Sequence, residues 1–378
     1  MRFLHSSDWH LGMSFRSISA LEDQEHFADQ ICRIAAEENV DAVLLAGDIF
    51  DRSIASAEAV SLYDRIMTRL AGTMGIPVLA VAGNHDSPER LAQCSSLLQR
   101  AGLHLCGALG PEIRRVEFED TDVYLLPWTS TEKVRSLWPD RAEEIVSTED
   151  AYRLVCSKIR ESFRPGRKNV LLTHAFVVKG ETSVSDRAAE IGFAAAVSGD
   201  VFEGFDYVAL GHLHKPQIID GRLVYSGSPM AYSFGTEETQ TKGVVIADTA
   251  DGSIRNVPLE PLHERHTVSG TREEVLNAAY TPRQRDAYVR ADITDTYIGT
   301  ELAARLREIF PNLLEARGRS FGEEEGAILM TPEELNALSD DPLEIFRRYC
   351  REAAETEPDE HLLTLFKNAL SQAQEAAE

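Results

Sequence analysis

The segment that decides the fold is an apolar run closed by a glycine and a carboxylate, Val43-Leu44-Leu45-Ala46-Gly47-Asp48. Consecutive apolar residues of this kind are typical of a parallel strand buried on both faces. The polar residue falls where the strand gives way to a loop, which is where α/β sheets place their sites. Four further segments carry similar side chains, and they are Asp8-Trp9-His10, Gly83-Asn84-His85-Asp86, His174 and Gly211-His212-Leu213-His214. The chain thus predicts an α/β fold with a functional site at its strand ends.

The predicted site combines carboxylate, imidazole and carboxamide groups and has no thiolate. This donor set is typical of Mn²⁺, Fe²⁺, Mg²⁺ or Zn²⁺ in a catalytic centre. Residues i and i+2 of extended backbone point the same way, so the Asp-x-His and His-x-His segments can each deliver two ligands to one cation. Asp48 has two carboxylate oxygens and can bridge two cations. The predicted metal ligands are Asp8, His10, Asp48, Asn84, His174, His212 and His214.

Paired cations of this kind predict a two-metal phosphoester hydrolase. Two cations about 3.5 to 4 Å apart bind phosphoryl oxygens and stabilise the leaving oxygen of an in-line displacement. His85 directly follows Asn84, so its imidazole can point into the substrate space and give a proton to the departing alkoxide. Asp86 is predicted to orient His85 as its partner. His85 and Asp86 are therefore the predicted catalytic residues beside the ligands.

Each candidate also has an ordinary structural explanation. A single histidine is more often a turn or core residue than a ligand, and a single Asp or Asn is more often a turn or cap residue. The joint pattern favours a site, because six ligand-type positions at the ends of separate apolar runs are very unlikely by chance. The remaining histidines lack this setting and are predicted to be structural or surface groups: His5, His26, His104, His263, His266 and His361.

The overall charge argues against one way of binding nucleic acid. The 378 residues include 62 acidic and 38 basic side chains, for a formal net charge of −24. Such a surface does not hold nucleic acid by bulk electrostatics, although a metal centre still attracts a phosphodiester locally. Scattered cysteines, the lack of a basic leader and the lack of a membrane-length apolar run predict a cytoplasmic protein that does not span a membrane.

Apolar periodicity divides the chain into three parts. Residues 1–260 predict two packed sheets with helices outside, residues 265–325 a small α+β module, and residues 335–378 a C-terminal helical segment after a Gly/Glu linker at 322–326. The predicted strands are 3–5, 43–46, 78–82, 123–126, 170–173, 207–210, 223–225, 244–247 and 287–293. The predicted helices are 22–38, 57–70, 88–100, 300–310, 342–354 and 360–369.

Five phrases of the sequence resemble the calcineurin-like metallophosphoesterases and, among them, the family of DNA double-strand-break repair nucleases. The phrases are His5-Ser6-Ser7-Asp8-Trp9-His10-Leu11-Gly12, Gly47-Asp48-Ile49-Phe50-Asp51-Arg52, Gly83-Asn84-His85-Asp86-Ser87, Phe205-Asp206-Tyr207-Val208-Ala209-Leu210-Gly211-His212-Leu213-His214 and Tyr225-Ser226-Gly227-Ser228-Pro229. The resemblance is strong to residue 260 and moderate in the following module. It implies a β-sandwich flanked by helices, a capping domain over a DNA groove, and C-terminal helices that bind the coiled coil of an ATPase.

The resemblance also implies two Mn²⁺ ions, with Mg²⁺ as the alternative. The first ion would be held by Asp8, His10, Asp48 and His214. The second would be held by Asp48, Asn84, His174 and His212, while His85 acts on the phosphate without binding metal. The implied activities are a 3′ to 5′ exonuclease on duplex DNA and an endonuclease on single strands. The implied assembly is a homodimer, with helices 22–38 and 88–100 as candidate interface, inside a heterotetramer with the ATPase.

Two other classes of function stay open from the residues alone. The ligand set also permits a phosphatase or small-molecule phosphodiesterase, although a small substrate does not require the 118 residues after residue 260. A non-enzymatic role would make the chain chiefly a binding partner through its C-terminal helices, whose apolar faces can equally close a small core. Basic candidates for DNA contact are each more often solvated surface residues: Arg16, Arg52, Arg114, Arg115, Arg167 and Lys168.

Overall fold

The computed structural model describes residues 1–16, 18–178, 196–319, 347 and 362–367. Two compact units are present. The larger comprises Met1–Val268, Ala279–Ala291 and Leu306–Glu315, and the smaller comprises Ser269–Ala278, Asp292–Arg305 and Ala316–Glu378 as far as it is described. Two six-stranded sheets form the framework of the larger unit.

The first sheet joins four parallel strands to an antiparallel pair at one edge. Its strands, in order across the sheet, are Ile254–Pro258, Gly243–Asp248, Arg2–Ser6, Ala42–Ala46, Val78–Val81 and Leu103–Cys106. Ala42–Ala46 is buried along its whole length. Its uninterrupted apolar sequence follows from this burial, because both faces of the sheet are covered.

The second sheet is parallel at its centre and has an antiparallel strand at each edge. Its strands, in order, are Gln217–Ile218, Leu223–Tyr225, Tyr207–Gly211, Lys168–His174, Thr121–Leu126 and Arg114–Glu117. The sheets pack face to face through alternate residues, such as Leu44 from the first and Leu125 and Leu172 from the second. Residues of the opposite parity, such as Val43, pack against the outer helices. The predicted α/β fold of two sheets flanked by helices is confirmed.

The observed α-helices agree in part with the helices predicted from the sequence. The α-helices of residues 1–319, as far as these are described, are Leu21–Glu37, Ala57–Met67, Pro88–Leu91, Ser95–Leu98, Thr131–Leu137, Thr148–Glu161, Arg272–Asn277, Pro282–Asp286 and Thr300–Ile309. The predicted helices at 22–38, 57–70 and 300–310 are confirmed, the second continuing as a π-helical segment, Thr68–Thr73. The single helix predicted at 88–100 is wrong. Cys94 has φ 57°, a left-handed conformation that a right-handed helix does not accommodate, so two four-residue helices flank it.

Residues 265–317 contain a three-stranded sheet with the order Arg265–Gly270, Tyr288–Ile293 and Leu313–Arg317. The strand predicted at 287–293 is confirmed, whereas the strand at Leu313–Arg317 was not predicted. The linker at 322–326 and the helix at 342–354 lie outside the described residues apart from Arg347, and of the helix at 360–369 only residues 362–367 are described, as helix. Within the described part of the chain, no helix combines the length and apolar character needed to cross a membrane.

One ion cluster ties the second sheet to the turn before Lys168. Asp122 is fully buried and accepts hydrogen bonds from Arg164 Nε at 2.9 Å and Arg167 Nε at 3.0 Å. Arg167 also donates to the carbonyl of Glu119 at 2.9 Å. Arg167, which was a candidate for DNA contact, therefore contributes to the stability of the fold.

Asp122→Ala is expected to lower the free energy of unfolding by about 3 kcal/mol, because it removes a buried carboxylate that accepts charged hydrogen bonds from two arginines. Urea denaturation followed by circular dichroism measures this as a lower midpoint at unchanged slope. The matched control is Glu119→Ala, which removes an exposed side chain and keeps its carbonyl. A variant as stable as wild type would contradict the structural role of Asp122.

Candidate active site

The predicted ligands occupy loops at the carboxyl ends of neighbouring strands. In the first sheet, the adjacent strands Arg2–Ser6, Ala42–Ala46 and Val78–Val81 lead to Asp8, Asp48 and Asn84. In the second sheet, His174 ends one strand and lies opposite Gly211 at the end of the next. Because parallel strands bring their carboxyl ends to the same edge, residues distant in sequence meet here.

Backbone hydrogen bonds hold these loops against one another. The amide of Asp8 donates to the carbonyl of Gly47 at 3.0 Å, and the amide of His10 donates to the carbonyl of Asp48 at 3.0 Å. The amide of His212 donates to Asp8 Oδ1 at 3.0 Å, which joins the loops of the two sheets. The ligand positions are thus fixed by the backbone as well as by packing.

The backbone is strained at four of the predicted ligands. Positive φ values occur at Asp8 (54°), His10 (43°), Asp48 (49°) and His212 (109°). Outside glycine, such values are uncommon and persist only where the surrounding structure imposes them. Three other non-glycine residues of the described chain share this feature, and none is a predicted ligand. Strain is therefore concentrated at the site.

Three glycines allow the loops to approach closely. A Cβ on Gly47 would lie 2.5 Å from His174 Nδ1, and one on Gly211 would lie 1.8 Å from the carbonyl oxygen of Ala46. A Cβ on Gly83 would lie 2.1 Å from Asp48 Oδ1. These separations are far below van der Waals contact, so each of the three positions accepts only glycine without movement of its neighbours.

One group of ligand atoms surrounds His10 Nε2. This nitrogen lies 3.2 Å from His214 Nε2 and 3.8 Å from Asp48 Oδ2. Asp8 lies close enough to His10 and His214 for ligand atoms of all three to fall within 4.8 Å of one another. All four side chains are buried.

A second group surrounds His174 Nε2. This nitrogen lies 2.9 Å from Asn84 Oδ1, 3.3 Å from His212 Nδ1 and 3.6 Å from Asp48 Oδ2. His212 Nδ1 lies 3.2 Å from Asn84 Oδ1. Asp48 therefore belongs to both groups, and Asp8 of the first group also has a ligand atom within 4.8 Å of those of Asp48 and His174.

The spacing and protonation of these atoms fit divalent cations. Two nitrogen ligands each about 2.1 Å from one cation lie roughly 3.0 to 3.4 Å apart in octahedral or tetrahedral geometry, and the observed nitrogen pairs are 3.2 and 3.3 Å apart. Burial lowers the pKa of His10 to about 4 and that of His212 to about 3, so both imidazoles are neutral at pH 7 with a lone pair to donate. Burial opposes ionisation of Asp48, but the surrounding imidazoles hold the pKa of its carboxyl below the usual value.

Contacts behind the ligands fix their orientation. His174 Nδ1 donates to the carbonyl of Ala46 at 2.8 Å, which turns Nε2 towards the site. The buried Lys242 donates from Nζ to the carbonyl of His214 at 2.8 Å and pairs with the buried Glu237 at 3.0 Å. Sequence reasoning missed Lys242, although a lysine directly before the apolar strand Gly243–Asp248 was a signal for a buried charge.

The prediction that Asp86 orients His85 is wrong. The Asp86 carboxylate accepts from the backbone amides of Phe50 and Gly83, both at 2.9 Å, and of Ile49 at 3.2 Å. Burial and the nearby Asp48 carboxylate raise the pKa of Asp86 to about 7. His85 instead has Nδ1 2.9 Å from the carbonyl of Asp51. Asp86 thus holds two site loops together, and a backbone carbonyl orients His85.

Most of the basic candidates for DNA contact form ion pairs or hydrogen bonds within the protein. Arg115 pairs with Glu117 at 2.7 Å, and Lys168 pairs with Asp206 at 2.9 Å. Arg114 donates to the carbonyl of Leu105 at 2.5 Å. The side chain of Arg52 is 81% exposed, and its Nε lies 3.3 Å from Asp51 Oδ2 beside the site.

His5 lies behind the site as a neutral, fully satisfied imidazole. Its ring nitrogens lie 2.9 Å from Tyr207 Oη and 3.1 Å from the carbonyl of Leu210. Burial lowers its pKa from 6.5 to about 3, against a smaller opposing effect of the Leu210 carbonyl.

The stability that His5 contributes is expected to be lost as the pH falls below 6.5. Between pH 6.5 and about 3 the unfolded chain binds a proton that the folded protein does not, so this one group lowers the free energy of unfolding by up to about 1.4 kcal/mol per pH unit. Chemical denaturation between pH 7.5 and 5 measures the slope, which should be shallower in His5→Asn. His26→Gln, at a partly exposed histidine, is the control. Parallel slopes for His5→Asn and wild type would refute the assignment.

Comparison with known proteins shows which families this chain resembles in sequence. A model of the calcineurin-like phosphoesterases matches residues 1–216, and a model described as the type 5 capsule protein repressor C-terminal domain matches residues 261–354. The chain is 30% identical over 318 residues to the SbcD subunit of the SbcCD nuclease of Staphylococcus epidermidis, covering 83% of this chain and 84% of that protein.

Solved structures similar to the chain include TT1561 of Thermus thermophilus and the calcineurin-like phosphoesterase YfkN from Bacillus subtilis. TT1561 is 13% identical with a TM-score of 0.40, over 68% of this chain and 99% of that one. YfkN is 12% identical with a TM-score of 0.35, over 68% of this chain and 88% of that one.

Proposed function

This chain belongs to the calcineurin-like phosphoesterase family and, within it, to the SbcD family of nuclease subunits, and from this premise we propose that it is a metal-dependent nuclease that hydrolyses phosphodiester bonds of DNA. The observation that carries the proposal is the pair of ligand groups that share Asp48. A carboxylate shared between two sets of nitrogen and oxygen donors is the arrangement that two-metal hydrolysis requires.

We assign the ligands to two divalent ions. Asp8, His10, Asp48 and His214 would hold the first, and Asp48, Asn84, His174 and His212 would hold the second. Bound ions of this kind supply Lewis-acid polarisation of the phosphate and stabilise the leaving oxygen. The protein keeps the donors neutral or anionic by burial, fixes their direction through the Ala46 and His214 carbonyl contacts, and excludes water from behind them. Mn²⁺ is the proposed metal, with Mg²⁺ as the alternative.

His85 is the proposed proton donor to the leaving alkoxide. Its Nδ1–H is held by the Asp51 carbonyl, so Nε2 is the nitrogen left for substrate. Nε2 lies 4.0 Å from Asp48 Oδ2, and the side chain is 17% exposed, more than the predicted ligands His10 and His174. An imidazole that is anchored on one side and open on the other can transfer a proton without binding metal.

His85→Gln is expected to lower kcat by about 10²- to 10⁴-fold, the usual contribution of a positioned general acid. Metal content should stay at two ions per chain, because the ligand atoms are untouched. Steady-state hydrolysis of a DNA phosphodiester together with elemental analysis measures both quantities. Loss of metal in parallel with activity would instead make His85 a ligand.

The finer activity is also a proposal, supported by family membership. We propose a 3′ to 5′ exonuclease on duplex DNA and an endonuclease on single strands, which act at ends, hairpins and breaks together with a coiled-coil ATPase of the SbcC type. Residues 1–260 form the nuclease domain, 265–325 the capping domain and 335–378 the ATPase-binding segment. The proposed assembly is a homodimer within a heterotetramer. Support comes from the SbcD relative and from the second family match at residues 261–354.

One assay tests this function against its main alternative. Linear, hairpin and single-stranded DNA are incubated with the protein and Mn²⁺, Mg²⁺ or Zn²⁺, with and without the ATPase. Degradation of linear duplex from its 3′ ends, strongest with Mn²⁺, is the expected result. Turnover of a nucleotide monoester with no cleavage of any DNA would instead make the protein a small-molecule phosphatase.

A further inference from the structure

Asp51 lies beside the candidate site and is not one of the predicted ligands, although a carboxylate oxygen of Asp51 lies within 4.8 Å of ring nitrogens of His10 and His85. It follows Asp48 by three residues, in the loop after strand Ala42–Ala46. Its side chain is 8% exposed, whereas carboxylates are seldom buried without a partner that compensates for the lost hydration. The burial of Asp51 therefore requires an explanation.

Two buried polar atoms face each other at this point. Among the described residues, neither Asp51 Oδ1 nor His10 Nδ1 has a hydrogen-bond partner, and the two atoms lie 3.9 Å apart. Because buried polar atoms are almost always hydrogen-bonded, two facing atoms without partners are unusual. A movement of about 1 Å would bring the pair to hydrogen-bond distance.

The other nitrogen of the same ring faces the ligand group. His10 Nε2 lies 3.2 Å from His214 Nε2 and 3.8 Å from Asp48 Oδ2. An imidazole that binds a cation through one nitrogen generally donates through the other, and a carboxylate acceptor fixes its tautomer and raises its basicity. His10 therefore has ligand partners on one side and a buried carboxylate on the other.

The backbone of Asp51 contacts the proposed proton donor. Its carbonyl lies 2.9 Å from His85 Nδ1. The rings of His10 and His85 are perpendicular, with centroids 4.8 Å apart. One residue thus contacts a predicted ligand through its side chain and the proton donor through its main chain.

The neighbouring arginine does not account for the buried carboxylate. Arg52 Nε lies 3.3 Å from Asp51 Oδ2, but the Arg52 side chain is 81% exposed. Ion pairs with so exposed a partner contribute little to stability. Moreover, this contact uses Oδ2 and leaves Oδ1 directed at His10.

We propose that Asp51 is a positioning residue of the site. Its carboxylate accepts a hydrogen bond from His10 Nδ1 and so holds Nε2 ready for a cation, while its carbonyl orients His85. The role at His85 rests on the proposed function, whereas the role at His10 concerns metal binding alone.

The main test measures Mn²⁺ binding by isothermal titration calorimetry. Asp51→Ala is expected to weaken binding at one of the two sites by about 10- to 100-fold, the usual effect of removing a residue that orients a metal-binding histidine. Asp51→Asn keeps an acceptor oxygen and should lose less. Asp64→Ala, at an exposed aspartate on helix Ala57–Met67, is the matched control and should bind Mn²⁺ as wild type does. The melting temperature of each metal-free variant shows whether it folds.

A second readout reports on the ring itself. Long-range ¹H–¹⁵N NMR of the metal-free protein should show His10 with its proton on Nδ1 in wild type and a shifted tautomer in Asp51→Ala. A folded Asp51→Ala protein with wild-type Mn²⁺ affinity and an unchanged His10 tautomer would overturn the inference. If wild type fails to cut DNA while Asp51→Ala still weakens Mn²⁺ binding, the nuclease proposal fails and the role of Asp51 stands.

Discussion

Replacing Asp48 by asparagine is expected to reduce phosphodiester hydrolysis by at least about 10³-fold, at the upper end of what removing one electrostatic stabiliser of a reaction costs. Asp48 Oδ2 lies 3.8 Å from His10 Nε2 and 3.6 Å from His174 Nε2, so one carboxylate serves both ligand groups. Asparagine keeps the size and one oxygen but removes the negative charge that two cations share. Metal content should fall from two ions per chain to at most one.

The Asp48→Asn experiment combines three measurements. Cleavage of linear duplex DNA and of a small phosphodiester reports activity, elemental analysis reports metal, and thermal denaturation without metal reports folding. Asp64→Asn, an exposed aspartate on a helix, controls for the loss of one charge. Wild-type cleavage by Asp48→Asn would contradict the assigned site, and a parallel loss of stability would point to a structural role instead.

The Asp48→Asn and His85→Gln variants together distinguish metal binding from proton transfer. Asp48→Asn should lose metal and rate together, whereas His85→Gln should lose rate alone. This difference follows from contacts, because Asp48 faces both ligand groups while His85 is anchored by a backbone carbonyl and directs only Nε2 towards the site. An enzyme with a different metal arrangement would not give this pair of results.

The position of the site was predictable because parallel strands have a local signature. An apolar run such as Val43–Ala46 marks a strand buried on both faces, and the residue after it lies at the carboxyl edge. The structure accordingly brings together all seven predicted ligands, including His174, which no neighbouring motif marks. Their role as ligands remains a prediction until metal is measured.

The details that sequence reasoning missed depend on tertiary contacts. The hydrogen-bond partner of His85 could not be deduced, because the adjacent Asp86 is drawn to the amides of Ile49 and Phe50 on another loop. The break at Cys94 left no trace in the apolar periodicity, since a left-handed residue changes the chain direction without changing the pattern. Lys242 was missed because its partners, the His214 carbonyl and Glu237, come from other segments.

Gly83→Ala is expected to impair metal binding by more than about 100-fold, although it adds a single methyl group, because it displaces a shared ligand together with its backbone. A Cβ at this position would lie 2.1 Å from Asp48 Oδ1 and 2.3 Å from the Asp48 amide nitrogen, so side chain and backbone must both move. Gly83 does not have a positive φ, which makes the clash, rather than backbone conformation, the cause. Hydrolysis should fall at least as far as in Asp48→Asn.

Gly72→Ala is the matched control for this substitution. A Cβ there meets only Thr68 Cγ2 at an ordinary 3.7 Å, within the π-helical segment Thr68–Thr73. Its stability should change by no more than about 1 kcal/mol, with unchanged metal binding. Mn²⁺ titration calorimetry of the two variants compares a methyl group at the site with the same group outside it. Equal affinities would show that the loop after Val78–Val81 yields freely, and that close packing around Asp48 is not what positions it.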